Sequence, residues 1–189
     1  MRKIFFILMT ICTLISCKKE DKIKTQIPDQ LLQNSDLEDN PNNVSSWFNL
    51  GGGNDFIASW TDEDSFSPTH SIKIARTIVD TTNIWYWDQI YSGIMPTGQT
   101  LTLTAKIKGV NLIGEGVSIV IRGDGALQNT LQFATTQGDI SITGTFDWST
   151  YSVSLSTLST DVYHIVIFLI YLPKTTGTVY FDDIKLTHK

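Results

Sequence analysis

Between residues 33 and 187, apolar and polar residues alternate with a period of two, interrupted by Gly, Asn, Asp and Pro. Stretch 100–108 is the clearest case. Leu101, Leu103, Ala105 and Ile107 fall on one side, with three Thr and two Lys on the other. Successive side chains of a strand point to opposite faces, so this pattern predicts a strand with one buried face. Stretch 117–122 repeats it, with Val117, Ile119 and Ile121 inward and Arg122 outward. Stretches 71–76, 84–91, 151–155 and 178–186 alternate in the same way, whereas 162–172 is nearly continuous apolar, as in a central strand covered on both faces. No stretch carries a helical period. Strands every ten to fifteen residues or so, separated by turn residues, predict an all-β protein, a jelly-roll β-sandwich spanning 33–189.

Composition supports this reading. The chain of 189 residues holds 24 Thr, 23 Ile and 9 Val against 5 Ala and 4 Glu. Side chains branched at Cβ are stiff and suit a pleated sheet better than a helix. A net charge of −5 excludes nucleic acid as a partner, because phosphates demand clustered Lys and Arg.

The amino terminus reads as an address. Arg2 and Lys3 precede an apolar run, 4–15, of about twelve residues, too short to span a ~30 Å hydrocarbon core as a helix and suited to a secretory signal. The run ends in Leu14-Ile15-Ser16-Cys17, which resembles the lipobox of bacterial lipoproteins. The resemblance implies cleavage before Cys17, lipidation of its thiol, and anchoring by several acyl chains. Removing signal peptide 1–16 moves the net charge from −5 to −7. Cys12 lies within the removed segment, so the mature fold has neither disulfide nor thiolate zinc site. Residues 17–32 read as the lipidated cysteine and a charged, flexible tether, with a span of roughly 20 Å. Its mixed Lys and acidic residues resemble surface-export signals of Bacteroidetes lipoproteins, which implies an outer-membrane protein facing the cell surface.

Further motifs follow in order. Asn34-Ser35-Asp36-Leu37-Glu38, Trp47, Ser71-Ile72-Lys73-Ile74, Trp87-Asp88-Gln89-Ile90 and Gly98-Gln99-Thr100-Leu101 are followed by 146–152 and by Tyr180-Phe181-Asp182-Asp183-Ile184-Lys185-Leu186. Together they resemble carbohydrate-binding modules of the family 4, 9 and 22 type, galactose-binding-like jelly rolls. In such modules a structural calcium ties the first strand to the last, which implies Glu38 and Asp182 as its carboxylate ligands here. Paired carboxylates at a sandwich edge need a compensating cation, and calcium takes oxygen ligands.

The candidate ligand strand is 84–91. Alternation places Trp85, Trp87, Gln89 and Tyr91 on one face, and Ile84, Tyr86, Asp88 and Ile90 on the other. A sugar ring has an apolar C–H face and a hydroxyl rim, which flat aromatic rings and an amide complement. Trp85, Trp87, Gln89 and Tyr91 are therefore the expected binding set, joined by Arg122, whose fork of donors suits hydroxyls or a uronic carboxylate. Core burial of the indoles is the competing reading. Trp60 is a lesser ligand candidate, Trp148 is expected in the core, and Asp62-Glu63-Asp64 reads as a solvated turn. Arg122-Gly123-Asp124 is explained by the hairpin turn that follows it. His70, His164 and His188 lack zinc-site spacing.

An enzyme is disfavoured. A glycosidase needs two opposed carboxylates, and the chain offers no E-x-D-x-x-E strand, G-x-S-x-G or phosphate loop. The expected function is non-catalytic binding of a polysaccharide or oligosaccharide by a membrane-anchored lipoprotein module, serving separate hydrolases or importers. The alternatives are a structural or protein-interaction sandwich without glycan ligand, or a jelly-roll polysaccharide-degrading enzyme.

Overall fold

A computed structural model describes residues 26–51 and 55–189. Signal peptide 1–16 and Cys17 lie outside the described residues. Among the described residues there is no helix; the chain forms β1 (Phe48–Gly51), β2 (Phe56–Thr61), β3 (Ser71–Arg76), β4 (Trp85–Tyr91), β5 (Leu101–Asp124), β6 (Thr130–Thr135), β7 (Ile142–Leu155), β8 (His164–Tyr171) and β9 (Thr176–His188). All pairings are antiparallel, in the order β1-β4-β8-β5-β9-β3-β2, with β6 and β7 added along β5.

The sheet folds over on itself at β5. Residues 101–113 pair with β9 and β7, while residues 117–124 pair with β8 and β6. Alternation along the sequence predicts two separate strands here; they join in one 24-residue strand that turns a corner. Asn111, Gly114 and Gly116 have positive φ there, and the ladder shifts register between Gly109 and Val117. Positive φ favours glycine or asparagine, and close backbone approach requires glycine. A Cβ at Gly114 would collide with the Lys174 carbonyl, and one at Gly177 with the Asn111 carbonyl. The buried Thr175 hydroxyl accepts the Gly116 N–H at 2.8 Å and secures the turn.

Two layers result, and their inner faces make the core. Leu101, Leu103, Ile107, Ile119, Ile121 and Ile167 are fully buried, as alternation predicts. Phe56 of β2 stacks on Trp85 of β4 at 3.8 Å, joining the layers. Strand β8 buries Ile165, Ile167, Leu169 and Tyr171 inward, and leaves Phe168 and Ile170 half-covered on its outer face.

The packed body begins earlier than expected. Residues 26–32 belong to the expected tether, but Leu31 and Leu32 are buried, and Leu31 N–H donates to the Leu186 carbonyl at 2.9 Å. Gln30 Oε1 accepts the Leu186 N–H at 2.8 Å. Two apolar residues beside a terminal strand outweigh the polar character of the stretch around them.

Candidate functional site

Strand β4 presents the expected aromatic set inward. Trp87 is 2% exposed and Gln89 5%. Trp87 Nε1–H donates to the Lys73 carbonyl at 3.4 Å, across the layers. The Gln89 amide is bound to one backbone unit, accepting Gln33 N–H at 2.7 Å and donating to the Gln33 carbonyl at 3.0 Å. Trp85 is half-buried against Phe56, and Tyr91 is half-buried, its hydroxyl donating to the Ile94 carbonyl at 2.9 Å. Trp87 and Trp85 thus pack between the layers, so the four do not form one open aromatic face, and Gln89 and Tyr91 lie toward the edge. The cause is area: three large aromatics bury far more apolar surface than the opposite face could. That opposite face carries Asp88, whose carboxylate would be costly to seal between layers.

The opposite face lines a groove of about 400 Å³. Ladder register places Asp88 beside Phe168, Ile90 beside Val166, Val166 beside Arg122, and His164 beside Asp124. Tyr86 meets Phe168 edge to face, with centroids 5.2 Å apart. The Arg122 guanidinium lies 4.9 Å from the Phe168 ring centre, and its Nε and Nη2 donate to Asp124 Oδ2 at 3.0 and 2.7 Å. Thus Arg122 lies on the opposite side of the sheet from the Trp85, Trp87, Gln89 and Tyr91 set it is expected to join, and it shares the groove with Tyr86, Asp88, Phe168, Asp124 and His164. Gln128, beyond the end of β5, adds an amide at the rim.

The electrostatics of the groove are uneven. Burial raises the Asp88 carboxyl above its ordinary value, and the attraction of Arg122 only partly offsets this. Burial, then the Asp88 charge, raises the Tyr86 hydroxyl. Asp124 Oδ1 and His164 Nδ1 are buried without a hydrogen-bond partner. A second hollow of about 540 Å³ lies between segment 28–33 and the end of β4; Gln89 and Tyr91 of the expected set line it beside Phe48, and no charged side chain does. Convergent charged and aromatic groups single out the first groove.

The expected calcium pair occupies the other layer, where loop 62–70 lies over β9. Asp182 is fully buried. Its Oδ2 accepts Phe66 N–H at 2.7 Å and Ser67 N–H at 2.8 Å; its Oδ1 accepts the Ser67 hydroxyl and Asp183 N–H, each at 2.6 Å. Four donors occupy the four lone-pair sites of one carboxylate. Burial raises this carboxyl, more than those bonds lower it. Glu38 accepts the Thr69 hydroxyl at 2.5 Å and His70 N–H at 2.7 Å, and faces His70 Nδ1 at 2.9 Å. Burial alone would raise Glu38, but the Thr69 and His70 contacts outweigh it and hold the carboxyl low. Among the described residues no group of three or more His, Cys, Asp or Glu is placed to hold a metal. The donors of loop 62–70 fill the role assigned to an ion, so this arrangement does not fit calcium.

Two further expectations change. Trp148 is half-buried on the outer face, not core, and its Nε1–H donates to Asp64 Oδ1 at 3.0 Å. Trp60 stacks on His70 at 3.9 Å and donates to the Leu37 carbonyl at 3.1 Å, a packing role. Of the acidic turn, Asp64 holds Lys108 at 2.7 Å and Glu63 holds Lys73 at 2.6 Å.

No family model matches the chain, and no curated protein does. Solved structures do resemble it. A cyclase from Fischerella sp. TAU aligns with TM-score 0.62 at 14% identity, over 84% of this chain and 95% of its own. A family 61 carbohydrate-binding module, solved with β-1,4-galactotriose, aligns with TM-score 0.56 at 14% identity, over 85% and 99%. The CBM22-1 xylan-binding domain of Paenibacillus barcinonensis Xyn10C aligns with TM-score 0.52 at 9% identity, over 77% and 87%. At such identities the likeness is one of fold: the chain is a β-sandwich of the jelly-roll kind found in carbohydrate-binding modules.

Proposed function

We propose that this domain is a non-catalytic glycan-binding module, with its ligand in the groove across the outer face of β4, β8 and β5. The observation that carries the reading is the groove itself. A half-covered pair of rings, Tyr86 and Phe168, lies within one strand of a carboxylate, a guanidinium and an imidazole. Rings complement the C–H face of a sugar and the polar groups its hydroxyls. Similarity in fold to a module solved with galactotriose and to a xylan-binding domain agrees with it. The carboxylates support the non-catalytic reading: Asp124 is buried and paired with Arg122, which leaves Asp88 without a second free acid in the groove of the kind glycoside hydrolysis uses.

The module would be held at the outer membrane, facing the cell surface, by lipid on Cys17, keeping polysaccharide near separate degrading or importing proteins. Affinity electrophoresis through β-glucan, xylan and mannan gels tests the binding. Retardation that Phe168→Ala removes supports it, and unretarded migration across a broad panel of glycans overturns it. Loss of lipid labelling on Cys17→Ser tests the anchor.

A further inference from the structure

The groove contains more hydrogen-bond acceptor capacity than its own donors fill. The Asp88 carboxylate makes no hydrogen bond or ion pair with any described residue, although its neighbours half-bury it. Asp124 is 4% exposed, and its Oδ1 has no donor. The one guanidinium present directs two nitrogens at Asp124 Oδ2 and rests against Phe168, so that pair is neutral as a unit. Two carboxylates therefore face one guanidinium, and the charge left only partly compensated is the negative charge of Asp88. A buried charge without a counter-ion is costly, and a ligand that supplies one gains in proportion.

We propose that the groove takes a glycan bearing a free amine, an unacetylated amino-sugar chain, with its ammonium against Asp88 and its apolar ring face against Tyr86 and Phe168. This rests on the glycan reading above and names its substrate class. An ammonium offers three donors and no acceptor, the complement of what the groove lacks. Ring faces attract a cation and also pack the C–H face of the same sugar. Arg122 does not recruit uronates as the sequence suggests, because its fork is already closed on Asp124 and a uronate would lie beside Asp88. The nitrogen of Arg122 left unbonded, Nη1, is available to a ring hydroxyl.

Isothermal titration of the soluble domain would use a glucosamine tetramer, its fully N-acetylated counterpart, a galacturonate tetramer and spermidine. The glucosamine tetramer should bind about tenfold more tightly than the acetylated one, a preference that added salt erodes. Asp88→Asn, checked by its melting curve, should abolish the preference between the two tetramers. Salt dependence of the unmodified protein supplies a readout that does not need the variant. Equal affinity for the two tetramers, tighter binding of galacturonate, or a preference that survives Asp88→Asn overturns the proposal. Spermidine binding as tightly as the glucosamine tetramer overturns its sugar component. Neutral binding that Phe168→Ala removes, without amine preference, sinks this inference and leaves the glycan reading standing; no binding by any oligosaccharide sinks both.

Discussion

The sidedness of β4 has a direct thermodynamic test, Trp87→Ala. The indole is 2% exposed, lies between the two layers, and its N–H reaches the Lys73 carbonyl of β3. Truncating a buried Trp costs about 3–5 kcal/mol, from lost apolar burial plus the cavity left behind. For a domain of this size each kcal/mol moves the melting midpoint by about 2–4 °C, so the variant should melt roughly 6–20 °C lower. Phe168→Ala, on the groove side, removes a half-covered ring and should cost about 1–2 kcal/mol of stability. Glycan retardation should show the reverse order: Phe168→Ala weakens it about tenfold, whereas folded Trp87→Ala, assayed well below its midpoint, retains it. Calorimetry supplies the first comparison and affinity electrophoresis the second. A Trp87→Ala protein that melts like the parent but no longer binds glycan would place the indole in the groove and refute the assignment of faces.

Other consequences concern the corner, the loop over β9, and pH. Gly114→Ala and Gly177→Ala each force a Cβ into a carbonyl at positive φ, and should cost more than about 2 kcal/mol in urea unfolding; a parent-like midpoint would show that the corner yields. EDTA should leave the melting midpoint unchanged, since Asp182 is already filled by four donors, and a calcium-dependent rise reversed by EDTA would mean that the loop reorganises around the ion. Glu38 is held below its ordinary value near 4.5, so its stabilisation is present above that pH and disappears as pH falls through the lowered value. Glu38→Gln should thus cost about 1 kcal/mol at pH 7, allowing for partial exposure, and progressively less as pH falls below 4.5 through the lowered value; a cost that does not shrink on acidification would rule out the ionic contribution. Asp182 has the opposite sign, because its raised carboxyl favours the fold most below its ordinary value near 3.8 and progressively less as pH climbs through the raised one.

Much of the architecture was written in the order of residues. Alternation at 71–76 and 101–107, and the apolar run before Tyr171, are local properties, so strand positions and the buried sides of β3 and β5 follow from side-chain type alone, whereas the run in β8, expected to be covered on both faces, leaves Phe168 and Ile170 half-covered on one of them. Alternation along β4 equally separates Trp85, Trp87, Gln89 and Tyr91 from Tyr86, Asp88 and Ile90, but assigns neither set to the inside. Both sets mix aromatic with polar groups, and only the closing of one layer on the other chooses between them. Pairing of β4, β8 and β5 within one layer delivers Phe168, Arg122 and His164, from strands far apart in sequence, to one groove beside Asp88. Loop 62–70 likewise meets Asp182 only after β2, β3 and β9 have paired, and its donors then satisfy a carboxylate that sequence alone leaves seeking an ion. Periodicity is a property of neighbours along the chain. Which face is covered, and which distant groups share a cavity, depends on non-local pairing, and that tertiary structure alone decided.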